Sequence, residues 1–186
     1  MLLLVIGGSA SGKSEYAEER AVLAGGRRYY VAAMKPFGEE AEKRIARHRA
    51  LRAGKGFETI ERYTDLEGLC RERPDLAGQT VLVECLSNLT ANEMFEPEGA
   101  GLSGGEEAIV SGIHSLSEMA ETVIVVSADV FGEGRLSEAE EESVQKESAD
   151  LTGRYVRILG RIHERLAQMA DEVVEVVYSI PVKQKG

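Results

Sequence analysis

Near its amino end the chain reads Gly7-Gly8-Ser9-Ala10-Ser11-Gly12-Lys13-Ser14, which fits the pattern G-x-x-x-x-G-K-[ST]. The apolar run Leu2-Leu3-Leu4-Val5-Ile6 precedes it, and a segment of helical character from Ser14 to about Leu23 follows. That placement constrains the fold more than any other feature. A buried strand must feed a glycine loop that turns at once into a helix, so backbone N–H groups and the positive end of the helix converge on one point. Such a point holds phosphate. There Lys13 reaches the β- and γ-phosphates of a nucleoside triphosphate, and the Ser14 hydroxyl ligates Mg2+. The bland alternative is a glycine turn that binds nothing, and the strand before it and the helix after it argue against that reading.

Further apolar, β-branched runs at Arg28–Ala32, Val81–Val83, Thr122–Val126 and Val173–Val177 read as strands, with a shorter one at Phe57–Ile60. Helical segments are predicted at Glu39–Arg52, Asp65–Arg71, Glu106–Met119 and Gly153–Met169. Near-continuous apolar strands alternating with helices predict an α/β fold, a mostly parallel sheet covered by helices on both faces. Two stretches read as irregular. Glu96–Gly105, with Pro97 and several glycines, is expected to be a mobile surface loop. Phe131–Asp150, rich in glutamate and serine, is expected to be a solvated helix or an excursion from the domain.

At 186 residues the chain suits one well-buried domain. Its apolar runs are strand-sized, which argues against a membrane span, and the start lacks the pattern of a signal peptide. Two cysteines, Cys70 and Cys85, make neither a disulfide framework nor a zinc spacing, and suit a reducing cytoplasm. Cys85 reads as a buried core residue rather than a nucleophile. A net charge of −10 argues against a general nucleic-acid or acidic-membrane surface. Six of the 22 basic residues nevertheless fall between Lys43 and Lys55, a window without an acid.

In that window a spacing of four places Arg44, His48 and Arg52 on one helical face, with Arg49 close by. A histidine among guanidinium groups keeps a nitrogen lone pair available for attack on phosphorus, while the arginines bind the phosphates of an incoming nucleotide. That suits nucleotidyl transfer through a phosphohistidine-type intermediate; a solvated basic helix is the plainer reading of this stretch alone. His114 and His163 are explained by packing or exposure. A phosphate loop also calls for a carboxylate near the metal, at the end of a neighbouring apolar strand. Glu84, closing "TVLVE", and Asp129, after "TVIVVSA", are the candidates.

Read in order, "GGSASGKS", "RIARHRALR", "VLVECLSNLTANEMF", "VIVVSADVF" and "GRIHERLAQMADEVVEVVYSIPVKQKG" resemble the bifunctional adenosylcobinamide kinase/adenosylcobinamide-phosphate guanylyltransferases of cobalamin biosynthesis, over nearly the whole length. The resemblance implies a RecA-like P-loop fold and a homotrimer. It implies that His48 becomes guanylylated and that Gly7 to Ser14 form the GTP phosphate loop. It further implies nucleotide contacts from Ala33-Met34-Lys35, from Arg49, Ala50, Leu51 and Arg52, and from Glu61 and Glu84. Substrates would be ATP, GTP and the corrinoid. The hydroxyl of adenosylcobinamide is phosphorylated, and GMP from GTP is then transferred to that phosphate.

The chain departs from the family at four places. Ala33-Met34 stands where Thr-Ser is common, "RAGKGF" replaces R-P-x-x-W, Ala128-Asp129-Val130-Phe131 replaces N-E-V-G, and "VRILGRIHE" replaces R-D-x-x-G-x-x-N-Q. Two other readings stand beside the bifunctional enzyme: a relative with one activity or a different acceptor, and a GTP-binding regulatory module without group transfer.

Overall fold

A computed structural model of the chain describes residues 1–36, 38–129 and 143–186, with backbone alone for 39–42, 44, 48, 51 and 143–150. The strands are β1 (Leu2–Gly7), β2 (Arg28–Ala32), β3 (Phe57–Glu61), β4 (Thr80–Glu84), β5 (Thr122–Ala128), β6 (Glu172–Val177) and β7 (Ile180–Lys185). The helices are α1 (Lys13–Ala24), α2 (Gly38–Arg52), α3 (Leu66–Glu72), α4 (Leu86–Phe95), α5 (Gly101–Met119) and α6 (Ser143–Met169). One sheet has the order β3-β2-β4-β5-β1-β6-β7. Every neighbouring pair is parallel except β6 and β7. This is the α/β P-loop fold that the sequence predicts, with β5 between the phosphate-loop strand β1 and the strand β4 that ends in Glu84.

Because successive side chains of a strand point to opposite faces, the apolar runs divide between two cores. Leu2 and Leu4, Tyr29 and Val31, Val81 and Val83, and Val123 and Val125 face one side, where α3, α4, α5 and α6 bring Leu69, Leu89, Ile113 and Ile162. Leu3 and Val5, Tyr30, Leu82, Ile124 and Val126 face the other, where α1 contributes Ala17 and Ala21. Small residues on that helix let it lie close to the sheet. The parallel register then aligns the carboxyl ends: Gly7 pairs with Ala128, and Ala32 pairs with Glu84 and with Glu61. That edge is where ligands bind in open parallel sheets.

The structure differs from the sequence reading in three places. Glu96–Gly105 is not a loop throughout, because α5 begins at Gly101. The reason is Glu93, 3% exposed, whose carboxylate accepts from the backbone N–H of Ala100 at 2.9 Å and of Asp65 at 2.6 Å. A buried acid thereby fixes the turn that starts the helix. Secondly, α4 follows β4 directly, although Ser87, Asn88, Thr90 and Asn92 obscure its apolar periodicity. Thirdly, β7 extends the sheet with six exposed residues, which no burial pattern announces. Of the stretch Phe131–Asp150, residues 131–142 lie outside the described residues, and α6 already begins at Ser143. Among the described residues no helix is long and apolar enough to cross a membrane.

Candidate functional site at the phosphate loop

The loop between β1 and α1 turns through two left-handed residues, Ala10 (φ 55°) and Gly12 (φ 91°). Gly12 stands at the helix start with no side chain capping it, so the first N–H groups of α1 are left for a ligand. Space is tight behind the loop. A Cβ on Gly7 would come within 2.5 Å of Ser11 Oγ and 2.6 Å of the Val176 carbonyl oxygen. Lys13 folds back to donate to the Gly8 carbonyl at 2.8 Å. Ser11 Oγ is buried without a hydrogen-bond partner, a polar atom of the kind a phosphate oxygen would satisfy.

Ser9, Ala10, Ser11, Gly12, Lys13 and Ser14 line a cavity of about 640 Å³. Across it stand Met34, Arg49, Arg52, Glu61 and Glu84, so the cavity gathers these residues from four separate parts of the chain. Ser14 donates its hydroxyl to Glu84 Oε1. The other carboxylate oxygen accepts from Tyr30 at 3.1 Å. Burial, and then the negative charge of Glu84, push the Tyr30 hydroxyl far above its ordinary pKa, so it stays a donor. The Arg52 guanidinium lies 3.4 Å from the centre of the Tyr30 ring. Arg49 reaches Glu61 at 3.4 Å, and Tyr63 donates to the same carboxylate at 3.1 Å.

Other predicted residues lie elsewhere. Gly7 and Gly8 shape the loop without lining the cavity. Ala33 is buried in the core, its carbonyl accepting from Asn92 at 2.9 Å. Lys35 pairs with Glu96 at 2.8 Å, and Ala50 is exposed. Asp129 follows β5 beside the loop, its N–H donating to the Gly7 carbonyl at 3.0 Å, but only its neighbour Ala128 lines the cavity. His48 belongs to α2 and its side chain lies outside the described residues, as do those of Arg44 and Leu51. Its neighbours Arg47 and Arg49 line the cavity.

Cys85 corrects the sequence reading in part. It is half-buried and lines the cavity rather than the core, with its sulfur 3.0 Å from Ser87 Oγ and from Asn88 Nδ2. Burial pushes its thiol pKa up, which makes it a poor nucleophile, as the sequence suggested. His163 is buried with Nε2 2.6 Å from Ser127 Oγ, and burial lowers its pKa; His114 is exposed.

Sequence reasoning missed Tyr30, Tyr63, Asn88 and Ser179 in the lining. Tyr30 could have been found, since the alternation of "RYYVA" puts it on the face opposite Tyr29 and Val31. Ser179 could not. It arrives with the turn between β6 and β7, where Tyr178 and Ser179 both have positive φ, and its N–H donates to the Ser11 carbonyl at 2.7 Å.

Comparison with known proteins agrees with this geometry. The family described as cobinamide kinase / cobinamide phosphate guanyltransferase matches residues 3–184. The chain is 31% identical to the bifunctional adenosylcobalamin biosynthesis protein CobP of Pseudomonas aeruginosa, covering 98% of this chain and 96% of that protein. It is 30% identical to the corresponding CobU of Escherichia coli K12, over the full length of both. Among solved structures, a protein of Pyrococcus horikoshii OT3 described as a structural study of PH0250 shares the fold, with a TM-score of 0.56 at 11% identity. It is matched over all of this chain and 86% of its own. A family match across nearly every residue, on a chain whose phosphate loop, strand-end carboxylate and basic helix meet at one cavity, establishes that this protein belongs to the cobinamide kinase / cobinamide phosphate guanyltransferase family.

Proposed function

We propose that the protein phosphorylates the aminopropanol hydroxyl of adenosylcobinamide and then transfers GMP from GTP to that phosphate by way of a guanylyl-His48. The observation that carries this reading is the meeting of Lys13, Ser14 and Glu84 with the arginines of α2 across one cavity. In the first reaction the substrate hydroxyl attacks the γ-phosphorus, and Lys13 stabilises charge developing on the phosphoryl oxygens. In the second, a ring nitrogen of His48 attacks the α-phosphorus of GTP and pyrophosphate leaves. The cobinamide phosphate oxygen then attacks the same phosphorus, the bond to nitrogen breaks, and adenosylcobinamide-GDP is released. Arg49 and Arg52 offset the negative charge of the nucleotide while this happens.

The hydroxyl of Ser14 and the carboxylate of Glu84 are adjacent hard oxygen donors, which fits Mg2+ completed by phosphate oxygens and water. When bound, Mg2+ neutralises charge on the phosphates. Asp129, beside the loop, is the further candidate for that role. The same reading includes ATP or GTP as phosphoryl donor and a homotrimer, supported by the family resemblance, one domain, supported by the length of 186 residues, and a cytoplasmic location, supported by the cysteine usage. The net charge of −10 supports the absence of a nucleic-acid partner.

The test is intact-protein mass spectrometry after incubation with GTP and Mg2+, on the wild type and on His48→Ala. An acid-labile adduct of GMP mass in the wild type alone is the expected result. A wild type that binds GTP and forms no adduct overturns the guanylyl-histidine.

A further inference from the structure

Glu18 belongs to α1, and its side chain is 0% exposed. One carboxylate oxygen accepts from Lys55 Nζ at 2.6 Å, and the other, Oε1, is buried without a partner. Arg52 shows the complementary condition. It is 7% exposed, its guanidinium lies on Tyr30, and Nη1 is buried without a partner. Lys55 sits in the turn that ends α2, between the left-handed Gly54 and Gly56, and that turn is held by backbone as well. Its N–H donates to the Arg52 carbonyl at 3.0 Å, and its own carbonyl accepts from Arg28 Nε at 3.0 Å. The Lys55 ammonium adds the tie across to α1. Glu18 thus fastens the carboxyl end of the helix that carries His48, Arg49 and Arg52 to the helix that carries Lys13 and Ser14.

This tie is a poor device for stability. Interiors rarely keep charged atoms unmatched, and the cost of burying an ion pair offsets much of what its pairing contributes. Burial pushes the Glu18 carboxyl pKa up in spite of the Lys55 hydrogen bond, with the Glu84 charge acting in the same direction. A neutral side chain of the same shape would therefore serve the fold at least as well.

We propose that Glu18 is a positioning residue for nucleotidyl transfer: through Lys55 it anchors the end of α2, holding Arg52 and the His48-bearing helix at the nucleotide cavity. Phosphoryl transfer to the corrinoid draws on Lys13, Ser14 and Glu84, whose contacts to the Gly8 carbonyl and to one another make no direct use of Lys55. The inference rests on the guanylyl-His48 reading.

The experiment compares wild type, Glu18→Gln, Lys55→Met and the double variant in three measurements. These are the rate of GMP-adduct formation from GTP and Mg2+ by mass spectrometry, kinase turnover with ATP and adenosylcobinamide, and thermal unfolding. Glu18→Gln is expected to form the adduct at least tenfold more slowly, with kinase turnover within threefold and Tm unchanged or raised. Lys55→Met should slow the adduct likewise while lowering Tm, since it leaves the buried Glu18 carboxylate without its donor. The double variant should be no slower than the slower single one, because the first change removes the charge and the second the donor of one tie. Adduct rates within twofold of wild type in both single variants overturn the inference, as does a parallel fall of both activities with a lowered Tm. A wild type with kinase activity and no adduct overturns the guanylyl-His48 reading itself, and the inference falls with it.

Discussion

The Arg52 guanidinium stacks on the Tyr30 ring with 3.4 Å between its carbon and the ring centre, and the Tyr30 hydroxyl donates to Glu84. Since the second oxygen of Glu84 accepts from Ser14, the contacts run without a break from the end of the basic helix to the first turn after the phosphate loop. A desolvated cation over an aromatic face contributes about 2 kcal/mol, and a hydrogen bond to a charged group about 1.5–3 kcal/mol. Arg52 and Ser14, the nucleotide contacts of the proposed function, are thus parts of one network.

Tyr30→Phe keeps the ring under Arg52 and removes only the donor to Glu84. We expect a loss of about 1–3 kcal/mol in urea unfolding, because a buried carboxylate loses one of its hydrogen-bond donors. Tyr30→Leu removes the stack as well and should lose about 2 kcal/mol more, the scale of a desolvated cation–π contact. A Phe variant as stable as the wild type would show that Glu84 finds another donor.

Lys13→Ala should lower kinase kcat by about 10²–10³, the scale for removing one preorganised donor from a developing anion. Its Tm should stay near that of the wild type, because the ammonium is tied to the fold by one bond, to the Gly8 carbonyl. His48→Ala should abolish guanylyl transfer and keep substantial kinase activity. If both activities fell equally in a folded His48→Ala protein, the division of roles would be refuted.

Gly12→Ala tests the loop itself. At φ 91° an alanine is strained, and its Cβ would lie 2.6 Å from Ser179 Oγ and 3.1 Å from Ser179 Cα. Pushing the β6–β7 turn away should destabilise by about 1–3 kcal/mol and weaken nucleotide binding together. Calorimetric titration with a non-hydrolysable GTP analogue reads the second effect. Unchanged affinity would mean that the turn yields freely.

The acid limb of stability should depend on Arg20 and Glu172, which join α1 to β6 through hydrogen bonds of 3.0 and 2.7 Å. The Arg20 hydrogen bond holds the Glu172 carboxyl below its ordinary 4.5, so the pair's stabilisation is fully present above that pH. It is lost as pH falls through the depressed folded value. Arg20→Ala should lose roughly 1 kcal/mol at pH 7, given partial exposure, and show a shallower decline below pH 4.5 in urea unfolding. An identical acid limb in the two proteins would remove the pair as its source.

Much of this architecture was legible from local pattern. The runs Leu2–Ile6, Arg28–Ala32 and Thr122–Val126 became β1, β2 and β5 with edges moved by two residues at most. Glu84 was legible as a residue at the carboxyl edge of the sheet because it ends such a run, and it lines the cavity. The start of α5 was not, because the residue that decides it, Glu93, lies in the preceding helix and acts through a buried carboxylate. Nor was Glu18, which nothing in "YAEER" distinguishes from Glu19 and which is fully buried against Lys55.

The sequence by itself determined the strand–loop–helix that binds phosphate, the parallel α/β class and, through ordered motifs, the family. Those depend on spacing within one or two turns of chain, where periodicity and glycine placement act directly. Only the tertiary structure decided that Ser14 meets Glu84 from 70 positions away, that Tyr30 lies between Glu84 and Arg52, and that Ser179 closes on Gly12. Such meetings follow from strand order and register, which are set by how the whole sheet buries its two faces and not by any segment alone.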